Sequence, residues 1–275
     1  MLRSIRAKAA IQKELHTLQK QEEKLMRSAT KQRSASSWKS ELEKKVPDKV
    51  YHSLKVAFGK AFAIVFEKGT GIIEKSYQKE TIQQDQKVQH YAVQLKGNRR
   101  ELRKVKKQAQ VSGLSNMALT TVEGIGLGAL GIGLPDIVMF VGVLLKGIYE
   151  TALRYGIDYN AVGERYLILK MMEASLAKGD RWVEINAEVD RLIYQGRQEV
   201  PDLDDMVEQR HHTADAFAID MILLKFIQGL PVVGILGGAG NPVYYNKVLH
   251  YVRLKYHKRY LLQLEKQQET RKKLK

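Results

Sequence analysis

The stretch GLSNMALTTVEGIGLGALGIGLPDIVMFVGVLLKGIYETALRYGID (residues 113–158) decides the fold. Its first part places five glycines within ten residues, from Gly124 to Gly133, and Pro135 follows them. Beyond the proline, apolar side chains recur every three to four residues, at Ile137, Phe140/Val141, Leu144/Leu145, Ile148 and Ala152. This spacing predicts a helix with a broad apolar face, which ends at Tyr155 and Gly156.

The same periodicity extends in both directions from this segment. It predicts helices over residues 2–33, from Pro47 to about Val65 with an interruption at Gly69 and Gly71, and over 72–111, 163–177, 180–195 and 206–227. A second glycine-rich apolar stretch spans 226–242, and Asn241 and Pro242 then predict the start of a long basic helix. Alternating strand patterns are scarce, so we predict an all-α fold.

Positive charge is concentrated in three segments. The chain carries 46 basic and 30 acidic side chains, a net charge of +16. Residues 1–50 contribute +7, residues 247–275 contribute +8, and the cluster at 96–107 contributes +6, whereas residues 108–246 sum to −7. Three runs of one sign around an acidic body indicate an anionic partner, either a phospholipid surface or a nucleic acid.

The residue types exclude or disfavour several chemistries. The absence of cysteine excludes disulfides, thiolate metal sites and cysteine nucleophiles from this chain. Gly126, Gly128 and Gly131 match GxGxxG, but no strand precedes them, so we interpret these glycines as close-packing positions. Histidine spacing matches no metal motif, and Glu123, Asp136, Glu150 and Asp220 are interpreted as structural charges or caps. We predict no catalytic residue, cofactor or metal.

The last predicted helix interleaves tyrosines with bases. Tyrosine rings favour the headgroup layer of a membrane, and nearby bases favour anionic lipid. We therefore predict a membrane- or anion-binding set that combines this helix with the 96–107 cluster: Tyr244, Tyr245, Lys247, Tyr251, Arg253, Lys255, Lys258, Arg259, Arg99, Arg100, Arg103 and Lys104. Stacking of the same rings on single-stranded nucleic acid is the alternative.

Two apolar stretches approach the length of a membrane span. Residues 226–246 carry no charge but contain two prolines and five glycines, and residues 113–146 contain Glu123 and Asp136. Insertion into one leaflet, or packing inside a soluble core, fits both stretches better than a single pass. The residues after Met1 lack the apolar run of a secretory signal, so we expect a cytoplasmic location at the inner face of the cytoplasmic membrane.

Several blocks resemble the EcsC family, bacterial proteins named for an operon that also encodes an ABC transporter. The blocks are LTTVEGIGLGALGIGLPDI (119–137), IYETALRYGID (148–158), GERYLILKMM (163–172) and LPVVGILGGAGN (230–241). Matching positions are Thr121, Glu123, Gly124, Pro135, Asp136, Glu150, Tyr155, Gly156, Glu164 and Arg165. The resemblance implies a helical, membrane-proximal protein, an accessory to an ABC transporter or to secretion, and carries no catalytic residue across.

These observations predict three regions. Residues 1–45 form a basic polar helical arm, residues 46–262 an EcsC-like helical domain, and residues 263–275 a basic tail. The expected function is non-enzymatic binding to an anionic membrane surface or to a membrane partner such as an ABC transporter. The alternatives are a nucleic-acid-binding module and an enzyme that acts on a lipid-like substrate, with Glu123 or Asp136 as its acid or base.

Overall fold

A computed structural model describes residues 2–31, 48–111, 135–195, 201–227 and 242–273. Every regular element in these ranges is a helix, which confirms the all-α prediction. The helices are α1 (Leu2–Lys31), α2 (Asp48–Ile64), α3 (Thr70–Lys75), α4 (Lys79–Lys96), α5 (Arg99–Val111), α6 (Pro135–Arg154), α7 (Val162–Leu176), α8 (Gly179–Gln195), α9 (Leu203–Ile227) and α10 (Pro242–Lys273). None of these helices combines the length and apolar character that crossing a membrane requires.

Helix α10 is the centre of the fold. It packs against α1, α6, α7 and α8, and the five consecutive residues 254–258 are all less than a tenth exposed. Consecutive residues of a helix point to all sides, so a helix buried over such a run is enclosed by its neighbours. The basic helix predicted from sequence therefore forms, but its middle lies in the core.

An aromatic cluster joins α2, α6 and α9 on one side of this centre. The rings of Phe58, Phe140 and Phe217 lie 5.4–6.5 Å apart, in the range that edge-to-face and tilted pairs favour. Phe62 adds a fourth ring, 5.6 Å from Phe217. This cluster holds α2 and α9 against α6.

Helix α1 belongs to the same core. Ala10, Ile11 and Leu18 are buried in one apolar cluster with the side chains of α10, and α1 packs against α5, α8 and α10. The boundary that we placed at residue 45 therefore does not separate an arm from the core. Likewise, α10 continues beyond residue 262, where Leu264 is buried.

Several local features revise the predicted helix ends. The single helix expected over 72–111 is divided twice. A turn at residues 76–78 separates α3 from α4. Gly97 takes a left-handed conformation (φ 54°) and ends α4, while the Asn98 side chain accepts a hydrogen bond from the Glu101 amide at the start of α5. Between α2 and α3 a π-helical turn (Val65–Gly69) carries the chain past the interruption expected at Gly69. Reciprocal side-chain caps by Asp202 and Asp205 start α9 three residues before the predicted position.

Candidate functional site

The tyrosines of α10 do not form a surface. Tyr244, Tyr245, Tyr251, Tyr256 and Tyr260 are each at most 4% exposed. The Tyr244 hydroxyl donates to the Asp220 carbonyl, and the Tyr251 hydroxyl donates to the Asn186 side chain. In this conformation these rings reach neither a headgroup layer nor a base, so the expectation that they form a membrane contact is corrected to a role in the core.

Two of the predicted anion-binding lysines are buried in an ion-pair network. The Lys255 ammonium is fully buried and lies 2.6 Å from a Glu22 oxygen and 2.8 Å from an Asp190 oxygen. Lys258 contacts the same two carboxylates at 2.9 and 3.0 Å. The network joins α1, α8 and α10, so the positive charge of both lysines is neutralised inside the fold. Both lysines are therefore structural in this conformation.

The other cations of α10 also have partners within the fold. Arg259 is mostly buried and donates to Glu164 at 2.6 Å. Lys247 contacts Asp220 at 3.1 Å, and a second lysine, Lys178, contacts the other oxygen of Asp220 at 3.1 Å. Burial lowers the pKa of Arg253, although the nearby Tyr245, Tyr155 and Glu150 partly offset that effect.

The basic side chains of α5 contact α1 or face solvent, and Arg103 does both. Arg99 donates to Glu14 and to the Thr17 hydroxyl of α1, Arg103 lies 3.3 Å from Glu14, and Lys106 donates to Gln21. Residue numbers rise together on the two helices along these contacts, so α1 and α5 run parallel. Arg100, Arg103 and Lys104 are exposed.

A continuous basic surface follows from this seam. On the core side of the seam lie Ile11 and Leu18 of α1 and Leu102 and Val105 of α5, so the remaining flank of each helix faces outward. The exposed bases on these flanks, which we call the basic face, are Lys13, Lys20, Lys24 and Arg27 of α1 and Arg100, Arg103, Lys104 and Lys107 of α5. The acids of the same helix segments, Glu14, Glu22 and Glu101, are turned inward and paired, and Glu23 lies at the edge.

A small cavity opens beside the seam, between α1, α5, α10 and the end of α6. Its volume is about 90 Å³, and its walls are Gln21, Lys106, Gln110, Tyr155, His250, Arg253, Leu254 and His257. His250 is exposed and Lys106 is half-buried at the mouth, whereas His257 and Tyr155 are 2% and 3% exposed at the floor. None of the described residues that line this cavity, which we call the cationic pocket, is a carboxylate.

The polar atoms at the floor of the cationic pocket have no partner in the part of the chain described. Neither ring nitrogen of His257 is hydrogen-bonded to a described residue, and the same holds for the Tyr155 hydroxyl. Burial, with a smaller contribution from the Lys106 ammonium, lowers the pKa of His257 from 6.5 to about 3. Burial and the neighbouring cations Arg253 and Lys106 likewise lower the pKa of His250.

Sequence reasoning missed this pocket because its walls come from four separate segments. It named Arg253 and Tyr155, counted Lys106 in the basic cluster, and interpreted His250 and His257 as interfacial or solvent-facing residues of one helix face, whereas His257 is buried. A signal was present in α10, where His250, Arg253 and His257 occur at i, i+3 and i+7 and so share one face. The arrival of Lys106 and Tyr155 at that face depends on the packing of α5 and α6.

A larger cavity of about 310 Å³ lies between α7, α8 and α9. Its charged side chains have partners: Lys178 contacts Asp220 at 3.1 Å, Arg181 contacts Glu173 at 2.9 Å, and Asp215 contacts Lys55, outside the cavity, at 2.9 Å. Because its charges are satisfied, this cavity indicates no charge on a ligand. Within the described residues, no group of three or more His, Asp or Glu side chains is placed to hold a metal ion.

The residues that carry the family resemblance fall mainly where α6 meets α7. Burial raises the pKa of the Glu150 carboxyl, against the effect of Lys146, Arg154 and Arg253. Gly156 ends α6 with φ 73°, Glu164 accepts from Tyr256 and Arg259, and Arg165 donates to the Phe66 carbonyl. Pro135 begins α6. Thr121, Glu123 and Gly124, and the side chain of Asp136, lie outside the described residues, as does most of the second glycine-rich stretch.

The chain thus forms an all-helical domain with a basic outer face and a cationic pocket. The profile of the EcsC protein family matches residues 10–261, nearly the whole chain, and the chain therefore belongs to this family. The match includes α1 from Ala10 onward, in agreement with the packing of that helix in the core. Neither the curated proteins nor the solved structures contain a match.

Proposed function

We propose that this EcsC-family protein is a non-enzymatic, peripheral membrane protein that docks on the anionic inner face of the cytoplasmic membrane. The basic face of α1 and α5 makes the contact. In this role the protein serves as an accessory to a membrane partner such as an ABC transporter, the association that the family name suggests. Of the two binding elements predicted from sequence, the proposal keeps the 96–107 cluster. The outer flank of α1 takes the place of the tyrosine-rich helix α10.

The observation that carries the proposal is the one-sided distribution of charge on the basic face. Eight exposed bases lie on the adjoining flanks of two parallel helices, and two of them, Arg103 and Lys104, also pair with the inward-facing Glu14 and Glu101. A base near an anionic leaflet contributes about 1 kcal/mol, so the six bases that pair with neither acid give an upper bound of about 6 kcal/mol. Such contacts act within a Debye length of about 8 Å at physiological salt, so the binding is expected to be sensitive to salt.

The position of the basic face along the chain also favours a membrane over a soluble polyanion. α5 ends at Val111, and the glycine-rich apolar stretch begins two residues later at Gly113. A basic helix followed directly by an apolar segment supplies both electrostatic attraction and apolar area, the two terms that hold a protein at a bilayer interface.

Flotation with vesicles tests the proposal. The full chain is mixed with vesicles of phosphatidylcholine alone or with 30% phosphatidylglycerol, floated, and then washed at high salt. Flotation only with the anionic vesicles, reversed by salt, is the result expected for the basic face. Flotation that survives the wash indicates insertion by an apolar stretch, and no flotation with either vesicle contradicts the proposal.

A matched pair of variants assigns the binding to the basic face. The variant Lys13→Gln, Lys20→Gln, Arg100→Gln and Lys107→Gln removes four charges from the basic face. The control variant Lys49→Gln, Lys60→Gln, Lys68→Gln and Lys75→Gln removes the same number from exposed positions near α2 and α3. We expect the first variant to lose flotation and the second to retain it. Equal losses would show that net charge alone is responsible.

Nucleic-acid binding is the second candidate, because the basic face has the charge that a phosphate backbone attracts. Stacking of nucleic-acid bases on the tyrosines of α10 is not supported in this conformation, since all five of these side chains are buried. Binding of the same variants to single-stranded RNA, measured by fluorescence anisotropy, separates the two candidates. Salt-sensitive RNA binding without flotation would replace the membrane proposal.

A further inference from the structure

We infer that the cationic pocket is a binding site for a phosphate group, carried either by a soluble phosphate compound or by a phospholipid headgroup. The pocket differs from the basic face in kind. The basic face is an exposed surface that attracts many anionic groups at once, whereas the pocket is a concave site whose polar groups converge on one small volume.

The chemistry of the lining sets the charge of the ligand. Lys106 and Arg253 supply two permanent cations, and Tyr155, His250 and His257 supply neutral groups that donate hydrogen bonds. Among the described residues, no carboxylate competes inside the pocket, because the acids that act on its cations, Glu150 on Arg253 and Glu14 on Lys106, are not lining residues. A set of donors and cations without a carboxylate is complementary to an oxyanion.

The two histidines favour phosphate over a carboxylate. A phosphate monoester has a second pKa of about 6, so it and an imidazole exchange a proton readily near neutral pH. Burial, with a smaller effect of the pocket cations, holds the pKa values of both histidines below the usual value, and a bound dianion would counter this effect by favouring the protonated rings. A carboxylate brings one negative charge, whereas the pocket presents two permanent cations.

The burial of unpartnered polar atoms indicates that the pocket is built for a ligand. The nitrogens of His257 and the hydroxyl of Tyr155 are among the most enclosed polar atoms of the fold, yet they bond to no described residue. A buried polar group without a partner costs about 1–3 kcal/mol, and three such atoms around one cavity are a large cost for a fold to carry. The volume of about 90 Å³ exceeds several times the ~10–15 Å³ that one water requires.

The mouth of the pocket leads to the basic face. Lys106 and Gln21 belong both to the pocket wall and to the seam between α5 and α1. A headgroup phosphate drawn to the basic face would therefore have a short path to Lys106. A soluble phosphate compound would reach the same site from solvent through the exposed His250 side, so the site does not depend on membrane docking.

Two lysine substitutions provide the matched test. Lys106→Gln removes a cation from the pocket wall, and Lys75→Gln removes the same charge from an exposed position at the end of α3, outside both the pocket and the basic face. Calorimetric titration of the full chain with inorganic phosphate and with glycerol 3-phosphate measures the affinity of each variant. We expect Lys106→Gln to weaken binding about tenfold or more, since a charge-assisted hydrogen bond is lost, and Lys75→Gln by less than about twofold.

Nuclear magnetic resonance gives a second measurement, the chemical shifts of the histidine rings, which do not depend on the overall charge of the protein. On addition of phosphate, the ring signals of His250 and His257 should shift, while those of the other five histidines serve as internal references. Arg253→Gln should abolish both the shift and the binding. If the two lysine variants bind equally, or if the histidine signals stay unchanged in the wild-type protein, the inference is overturned.

Vesicles distinguish the two sources of phosphate. Wild type and both lysine variants are floated with vesicles that contain phosphatidic acid, or phosphatidylglycerol at the same total charge. A preference for phosphatidic acid that Lys106→Gln removes and Lys75→Gln retains assigns the pocket to a headgroup. Binding of the soluble phosphates without this preference assigns it to a soluble compound. Failure of flotation with intact phosphate binding would count against the basic face and not against the pocket.

Discussion

Replacement of Lys255 by methionine should destabilise the domain by about 3 kcal/mol, because it leaves two buried carboxylates with a single cation. In the wild type, Lys255 and Lys258 face Glu22 and Asp190 at 2.6–3.0 Å, so two positive charges balance two negative ones. Removal of one partner from a buried pair costs about 3–5 kcal/mol. The lower value applies here because Lys258 remains and both carboxylates keep some contact with solvent.

Urea unfolding followed by circular dichroism measures this loss, with Lys247→Met as the matched control. Lys247 lies on the same helix, but its partner Asp220 retains Lys178, and its side chain is 36% exposed. We expect the control to lose no more than about 1 kcal/mol. In a domain of this size, 3 kcal/mol lowers the melting temperature by about 6–12 °C.

A double variant separates charge imbalance from a loss of packing. If the carboxylates cause the destabilisation, Glu22→Gln added to Lys255→Met should recover about 1–2 kcal/mol, because Asp190 and Lys258 are then balanced. A loss of less than 1 kcal/mol in Lys255→Met, or no recovery in the double variant, would refute the view that buried charge balance holds α1 to α8 and α10.

Two further predictions follow from the pocket and from the close packing of helices. His257, surrounded by Lys106, Arg253, His250 and Tyr155, has a pKa of about 3 when folded and 6.5 when unfolded, so its contribution to stability is complete above pH 6.5 and is lost as the pH falls toward 3. Between pH 8 and pH 5 this amounts to about 2 kcal/mol, and urea unfolding at the two values in phosphate-free buffer should show a loss smaller by that amount in His257→Leu; an unchanged difference would contradict the assignment. Gly147→Ala should cost about 1–3 kcal/mol, since the added methyl group would lie 2.5 Å from the Tyr245 hydroxyl and 2.9 Å from Leu249. Gly142→Ala on the same helix meets nothing within 4 Å and should be neutral or stabilising; equal thermal shifts in the two variants would show that α6 and α10 are not held at this distance.

The sequence was sufficient for the helices because their signals are local. The apolar periodicity of 137–152, the helix start at Pro242 and the scarcity of alternation all depend on residues within a few positions of one another. The division at Gly97 and Asn98 also has a local signal, since glycine is typical of the end of one helix and asparagine of the start of the next.

The burial of charged side chains could not be predicted from the sequence. Lys255 and Lys258 resemble solvated bases of an amphipathic helix, and their partners Glu22 and Asp190 are 233 and 65 positions from Lys255. A polar helix such as α1 joins a core through a few apolar side chains, here Ile11 and Leu18, together with acids that meet bases on a distant helix, and this second contribution depends on tertiary pairing. For the same reason, Tyr251 and Tyr256 read as interfacial residues until their neighbours are known.

The enclosed position of α10 constrains the order of events during synthesis. The ribosome makes every other helix described before it makes the one around which they assemble. Until residues 242–261 emerge, the apolar sides of α6 and α7 have no central helix to cover them. Nascent chains are therefore expected to expose these apolar faces from the synthesis of α6 until that of α10, and the part of the core around α10 is expected to form last.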